Sequence, residues 1–421
     1  MAPQPLPSMF DLTPLNEDYR ANPHAILDDL RTRCPVHHDE TSGNFLLTRY
    51  ADVRRLVTDR ALWRNPARAG ETAHLARRQV ESHVDGFSSA ETTSILFLDD
   101  LDHQRIRRPL NRAFYARIAR FRPAIERIVD ETLERIDPAA PFDLIATFCT
   151  PIPVDAIASI LGVDRNMLDE FRTWSEGVIH SLNPYRTAEQ TAEMQRCDAA
   201  LSAYFAAAIA ARKAAPDDDL ISDMVQLQSE GTQVSDAELR INLGALLIGG
   251  NLTTTDLIGN AARLLILHPH ELAKLRSDPG LIASAVEETL RYEPPVDITG
   301  RIAPAGMEIG GVAVSPAQSL TLCLRAANRN PDAFDDPHAF VIDRRCEPHL
   351  AFGGGAHICI GAPLARLEAQ VALLKLFERF PGLKLADPDG APEWRSLPFF
   401  RGLDRLMVVA LTIHQFSSVH G

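Results

Sequence analysis

Cysteine is scarce, and no two cysteines stand in a CxxC spacing: Cys34, Cys149, Cys197, Cys323, Cys346 and Cys359 are scattered along 421 residues. That excludes a zinc knuckle and a disulfide framework and fits a reducing compartment. Long apolar runs are missing as well, none approaching the roughly 18 uninterrupted residues of a spanning helix. The opening Met-Ala-Pro-Gln-Pro-Leu-Pro has neither the basic nor the apolar region of an export signal, so the expectation is a soluble, cytoplasmic protein with no membrane span. Positive charge is outnumbered, 43 Lys+Arg against 56 Asp+Glu for a net −13, which makes nucleic acid an unexpected partner. Gly/Ser linkers and repeats are absent too; the 29 prolines punctuate periodic segments instead. One domain over residues 1–421 is expected, with 1–20 an irregular lead.

What is present is helical periodicity. Apolar residues recur at i, i+3/i+4 over Arg122 to Ile136, Pro153 to Leu161, Asn166 to His180, Ala188 to Ala214 and Asp218 to Gln228. Ser235-Asp236 is an N-cap signal for a long helix running to His268, and further helices are expected over Leu281 to Tyr292 and Ala362 to Phe380. Strand patterns are few: Pro35-Val36, Asn44 to Thr48, parts of 297–323, and Leu406 to Ile413. The fold class is mainly α, a large helical domain with a small β-rich region.

Phe352-Gly353-Gly354-Gly355-Ala356-His357-Ile358-Cys359-Ile360-Gly361 sets one cysteine in a glycine-rich loop feeding a helix near Ala362-Pro363. Backbone N–H groups and the positive end of that helix would lower the thiol pKa. Glycines let backbone approach a bulky planar ligand, and a thiolate on haem iron donates the electron density that favours O–O cleavage. A lone cysteine is more often a buried, inert residue. The surrounding motifs decide between the two.

With that loop the chain resembles the cytochrome P-450 (P450) superfamily of haem-thiolate monooxygenases in its soluble bacterial form. The loop follows the family's aromatic-Gly-x-Gly-x-His-x-Cys-x-Gly signature, and Ala365-Arg366-Leu367-Glu368 follows downstream. Asp99 to Arg108, Gly249 to Thr254, Glu288-Thr289-Leu290-Arg291, and Ala327-Asn328-Arg329-Asn330-Pro331 with Phe340 to Arg344 match in the family's order. Cys34-Pro35-Val36 and Thr48 to Val53 fit too, so the likeness covers nearly the whole chain.

The resemblance implies the cytochrome P-450 fold, haem b (iron protoporphyrin IX) as cofactor, and Cys359 as its metal ligand, with Phe352 in the cofactor-binding loop. Glu288 and Arg291 alone would be a solvated i, i+3 pair worth a few tenths of a kcal/mol; the resemblance makes them a buried pair completed by Arg344. It assigns His103, Arg107, Arg301 and His357 to the haem propionates, which need cationic or hydrogen-bonding partners when covered. Thr253 becomes the catalytic residue that hydrogen-bonds dioxygen, its hydroxyl also able to bond back to the carbonyl at 249. The chain departs from the family where an acid usually precedes that threonine: Leu252 stands there. Asp256, one turn later, is the candidate replacement, feeding a water chain that ends at Thr253 with help from Asn251.

The implied activity is monooxygenation of a small organic substrate with O2, electrons arriving from a ferredoxin-type donor and its NAD(P)H-dependent reductase. Arg105, Arg108 and Arg112 are candidates for the donor's docking face. A peroxide-dependent haem-thiolate oxygenase, to which Leu252 lends weight, and a non-catalytic haem-binding sensor remain alternatives. The family's substrate segments fall at about Arg64 to Leu98, Gly177 to Met194, Leu246 to Gly250, Val296 to Thr299 and Leu397 to Phe400. Their apolar residues with Asp297 and several arginines allow an apolar molecule or one with a single polar anchor.

Overall fold

The structure, a computed structural model, describes residues 5–83 and 92–410. Its axis is the helix Asp236–Leu267, whose 32 residues span about 48 Å at the usual rise. Ser235 starts it with a capping box: its hydroxyl accepts from the N–H of Glu238 (3.2 Å) while the Glu238 carboxylate accepts the N–H of Ser235 (2.8 Å). Buried positions surround most of its circumference, from Leu239 to Leu265, and a helix apolar on all sides has to be enclosed. The helices Pro151–Leu161, Ala188–Ala214, Ile282–Tyr292 and Ala362–Arg379 enclose it. No helix among the described residues is long and apolar enough to cross a membrane.

A four-stranded sheet lies beside this helical body. Val36–Asp39 and Asn44–Leu47 form a hairpin, Ser319–Cys323 runs parallel to the second strand, and Ile298–Ile302 pairs antiparallel on its far side. Trp63 and Ile302 extend it by a two-bond bridge (3.0 and 2.8 Å). The helix Tyr50–Thr58 packs on the sheet, and the segment around Cys359 joins the two cores: Leu350 packs with the sheet, Phe352 and Ile360 with the helices.

Three expectations shift. The lead is not wholly irregular, since Asn16 caps a short helix, Glu17–Ala21; residues 1–4 lie outside the described residues. The helix expected from Pro153 begins at Pro151, behind a π-helical turn at Ile145–Cys149 that has no periodic signature of its own. The last strand covers Met407–Ala410, residues 411–413 lying outside the described residues.

Candidate haem-thiolate site

The cysteine loop is built by glycine geometry. Gly353 and Gly355 have φ of 68° and 66°, and a Cβ on Gly355 would come within 3.0–3.2 Å of the Thr58 and Val57 backbone. Only glycine turns there and lies that close to the neighbouring helix. Asn328 Oδ1 accepts from the N–H of Leu350 (2.7 Å), Tyr50 donates to the carbonyl of Pro348 (2.7 Å), and the N–H of Cys359 donates to the carbonyl of Phe352 (3.0 Å). The expected lowering of the thiol pKa is not the net result. Desolvation by the surrounding loop raises it, although the residue itself is exposed in this structure; the N–H of Gly361, Arg107, the N–H of Ala362 and Arg366 oppose without prevailing. Among the described residues no group of three or more His, Cys, Asp or Glu side chains is placed to hold a bare metal ion.

Behind the loop, Arg291 and Arg344 close on one carboxylate. Arg291 donates from Nε and Nη2 to Glu288 (2.7 and 2.8 Å), Arg344 from Nε (3.1 Å), and the N–H of Val341 adds a fourth bond (2.9 Å). Arg291 also binds the carbonyls of Asn328, Pro337 and Ala339. Its five acceptors tie the Ile282–Tyr292 helix to the chain leading into the cysteine loop. A second clamp, missed in the sequence, lies closer to the loop: Arg366 grips Glu287 (2.6 and 2.8 Å), His349 joins it (3.1 Å), and Arg366 stacks on the Phe352 ring at 4.6 Å. Burial would raise Glu287, yet Arg366 and His349 hold it down to about 2.

His103, Arg301 and His357 converge in front of the loop. The His103 and His357 rings lie 4.2 Å apart. Burial, then Arg107, takes His103 to about 4; burial, then Arg64, His103, Arg301 and Arg107, takes His357 to about 2, so both are neutral N–H donors at neutral pH. His103 Nε2 is buried and has no protein partner. A buried donor without an acceptor is the opening that a propionate would fill, so the donor set fits the cofactor. Arg301 is 3% exposed and has only carbonyl and hydroxyl partners, Val57, Gly300 and Thr299. Arg107 is partly committed elsewhere, to the carbonyl of Ile358 (2.6 Å) and to Asn111 (2.7 Å), which makes it a buttress of the cysteine loop as well.

On the long helix Thr253 donates to the carbonyl of Gly249 (2.8 Å), and a Cβ added at Gly249 would meet nothing within 4 Å. Asp256, expected to feed Thr253, is paired elsewhere. Its carboxylate lies under the backbone of Gly402, where a Cβ would fall 1.8 Å from it, and takes Arg395 Nη1 at 3.0 and 3.1 Å. Asp297 leaves the set of substrate anchors in the same way. It is 2% exposed and bound by Arg325 and Tyr19, while Arg325 also holds Glu293. Of the first substrate segment, residues 84–91 lie outside the described residues.

Comparison with known proteins points to one family. A sequence profile described as Cytochrome P450 matches residues 280–393. The chain is 36% identical over 366 residues to Cytochrome P450 107B1 of Saccharopolyspora erythraea, covering 86% of this chain and 88% of that protein. It is 36% identical over 394 residues to Nocardicin C N-oxygenase of Nocardia uniformis subsp. tsuyamanensis, covering 93% of each. The crystal structure of P450BioI in complex with hexadec-9Z-enoic acid ligated acyl carrier protein superposes with a TM-score of 0.84 at 31% identity, over 94% of this chain and all of that one.

Proposed function

The chain belongs to the cytochrome P450 family and is a haem-dependent monooxygenase; from that premise we propose that Cys359 ligates haem b, that His103, Arg301 and His357, with Arg107, hold the propionates, and that a ferredoxin with its NAD(P)H-dependent reductase supplies the electrons in the cytoplasm. The whole chain, 1–421, acts as one unit. The observation that carries this reading is the pairing of a single cysteine on a glycine turn with a buried, partnerless His103 donor in front of it. Haem held by thiolate supplies reductive activation of O2: with two electrons and two protons, one oxygen enters a C–H or C=C bond and the other leaves as water.

The protein's own groups do the rest. Glu288, Arg291 and Arg344 fix the loop, Phe352 packs beside the cysteine, and Thr253 holds a hydroxyl beside open space at Gly249 from which a proton can be relayed. With Asp297 and Asp256 both engaged elsewhere, neither acid is the polar anchor of the substrate. A screen for substrate-induced spin shift identifies the substrate. The strongly red-shifted Soret band of the reduced carbon monoxide complex tests the ligand: Cys359→Ser should abolish it with the oxygenase activity, whereas Cys346→Ser, outside the glycine turn, should leave both intact. Equal loss from Cys346→Ser would sink the assignment.

One observation favours a second reading, peroxide-driven oxygenation. Leu252 and the Asp256–Arg395 pair leave Thr253 without an adjacent acid, and peroxide brings its own protons. Product formation from peroxide alone, without a response to the ferredoxin chain, would select it.

A further inference from the structure

The sheet edge that presents Arg301 presents a second arginine. Trp63 and Ile302 exchange both backbone hydrogen bonds, so one step along this antiparallel contact Arg64 stands across from Arg301. The two guanidinium groups meet on the same acceptors. Arg64 Nη1 donates to Thr299 Oγ1 (2.8 Å) and to the carbonyl of Gly300 (2.8 Å); Arg301 Nη1 donates to the same two atoms at 3.4 and 2.8 Å. Arg64 Nε binds the carbonyl of Leu96 (3.1 Å), and its Nη2 makes no hydrogen bond among the described residues.

Neither cation has an ion-pair partner among the described residues. Asp99, the acid beside them, accepts from the backbone N–H groups of Arg64 (2.6 Å) and Asn65 (3.2 Å) and pairs with Arg68 (3.6 Å). Like charges opposite one another across strands repel, and the repulsion grows where water is scarce. Burial lowers Arg64 to about 10 and, reinforced by Arg64, lowers Arg301 to about 9. Two neighbouring arginines that share acceptors and have no carboxylate partner among the described residues form a site for a dianion.

We propose that Arg64 is a third arginine of the propionate site, and that the Arg64–Arg301 contact supplies the two positive charges matching the two haem carboxylates. This rests on the haem-thiolate reading above. The shared chemistry is a carboxylate, which a substrate could also bring; the pairing of Arg64 with Arg301 on the same acceptors favours the cofactor.

The test compares Arg64→Met and Arg64→Lys with the unaltered protein in haem-free and haem-loaded forms. Haem-loaded Arg64→Met should release haem to a scavenging apoglobin about tenfold faster, the loss of one charged hydrogen bond. Its reduction potential should move negative as a cation is removed from the cofactor. The haem-free form should melt close to the unaltered haem-free protein, and Arg64→Lys should recover part of the haem retention. Equal destabilisation of both forms with an unchanged potential would make Arg64 a packing residue and overturn the proposal. So would normal haem retention with weakened spin-shift binding of hexadecanoate but not of hexadecanol, which would assign Arg64 to a substrate carboxylate. Failure of the unaltered protein to give the red-shifted Soret band would overturn the haem reading itself.

Discussion

Arg395 places one nitrogen 3.0 and 3.1 Å from the two carboxylate oxygens of Asp256, and this pairing occupies the acid on the long helix that lies one turn beyond Leu252. Burial lifts the Asp256 carboxyl from 3.8 to about 6 against the opposing charge of Arg395. Arg395 is itself raised by the pair, burial opposing, so the attraction is present but does not fully repay the desolvation of Asp256.

The consequence for stability follows from the sign. A carboxyl whose folded value exceeds its unfolded value holds its proton more tightly in the fold, so its contribution is full below about pH 4 and is lost as pH rises through about 6. Arg395→Met should extend that loss to higher pH and cost about 3–5 kcal/mol at pH 7.5, with less cost at pH 5. Denaturant melts at the two pH values check this, and Asp256→Asn added to Arg395→Met should recover part of the loss. Asp256→Asn alone should keep turnover per haem; a large selective loss of ferredoxin-driven turnover would restore the acid to proton delivery.

Arg291 serves five acceptors with a rigid fork, and lysine offers three donors from one point. Arg291→Lys keeps the charge but should leave carbonyls behind the cysteine loop unpaired, each costing about 1–3 kcal/mol. The expected result is a marked drop in folded, haem-retaining protein on expression. Normal haem content at normal yield would show that charge alone suffices there.

The limits of the sequence are visible in these residues. Ser235 and Glu238 announce the long helix because a capping box is local, and the Cys359 loop is legible because glycine is the residue that tolerates its turns. Arg64 and Arg301 become neighbours only through the bridge between Trp63 and Ile302, and Asp256 finds Arg395 across 139 positions. A helical wheel gives the direction of a Cα–Cβ bond. It does not say which segment will be folded against it, and that decided the fate of Asp256, Asp297 and Arg325.

Electron donor docking can be narrowed in the same way. Arg105 is held by Glu238 and the carbonyl of Gln233, whereas Arg108 and Arg112 are exposed on the same helix, Asp100–Ile118. Exposed charges steer association more than they stabilise a fold. Reversing Arg108 and Arg112 to Glu should lower the rate of reduction by an acidic ferredoxin and flatten its dependence on salt, while Arg105→Glu should instead cost stability. An unaltered salt dependence in stopped-flow reduction would remove both residues from the docking face.

Glu368 closes the family's downstream motif, yet nothing in the sequence marks it as an acid the fold disfavours. It is 1% exposed, and neither carboxylate oxygen has a protein partner. Burial alone raises it well above its ordinary value, with no nearby cation opposing as Arg395 opposes for Asp256. The folded state therefore binds its proton where the unfolded chain has released it, and stability falls with rising pH from the ordinary carboxyl range upward. Glu368→Gln copies the protonated shape and cannot ionise. It should raise the melting temperature at pH 8, do little near pH 4.5, and leave the reduced carbon monoxide spectrum unchanged. Melts of the two proteins across that range give the answer: an equal shift at both pH values would mean that packing, not ionisation, separates them. A loss of stability at pH 8 would mean that the carboxylate form is the one the fold holds.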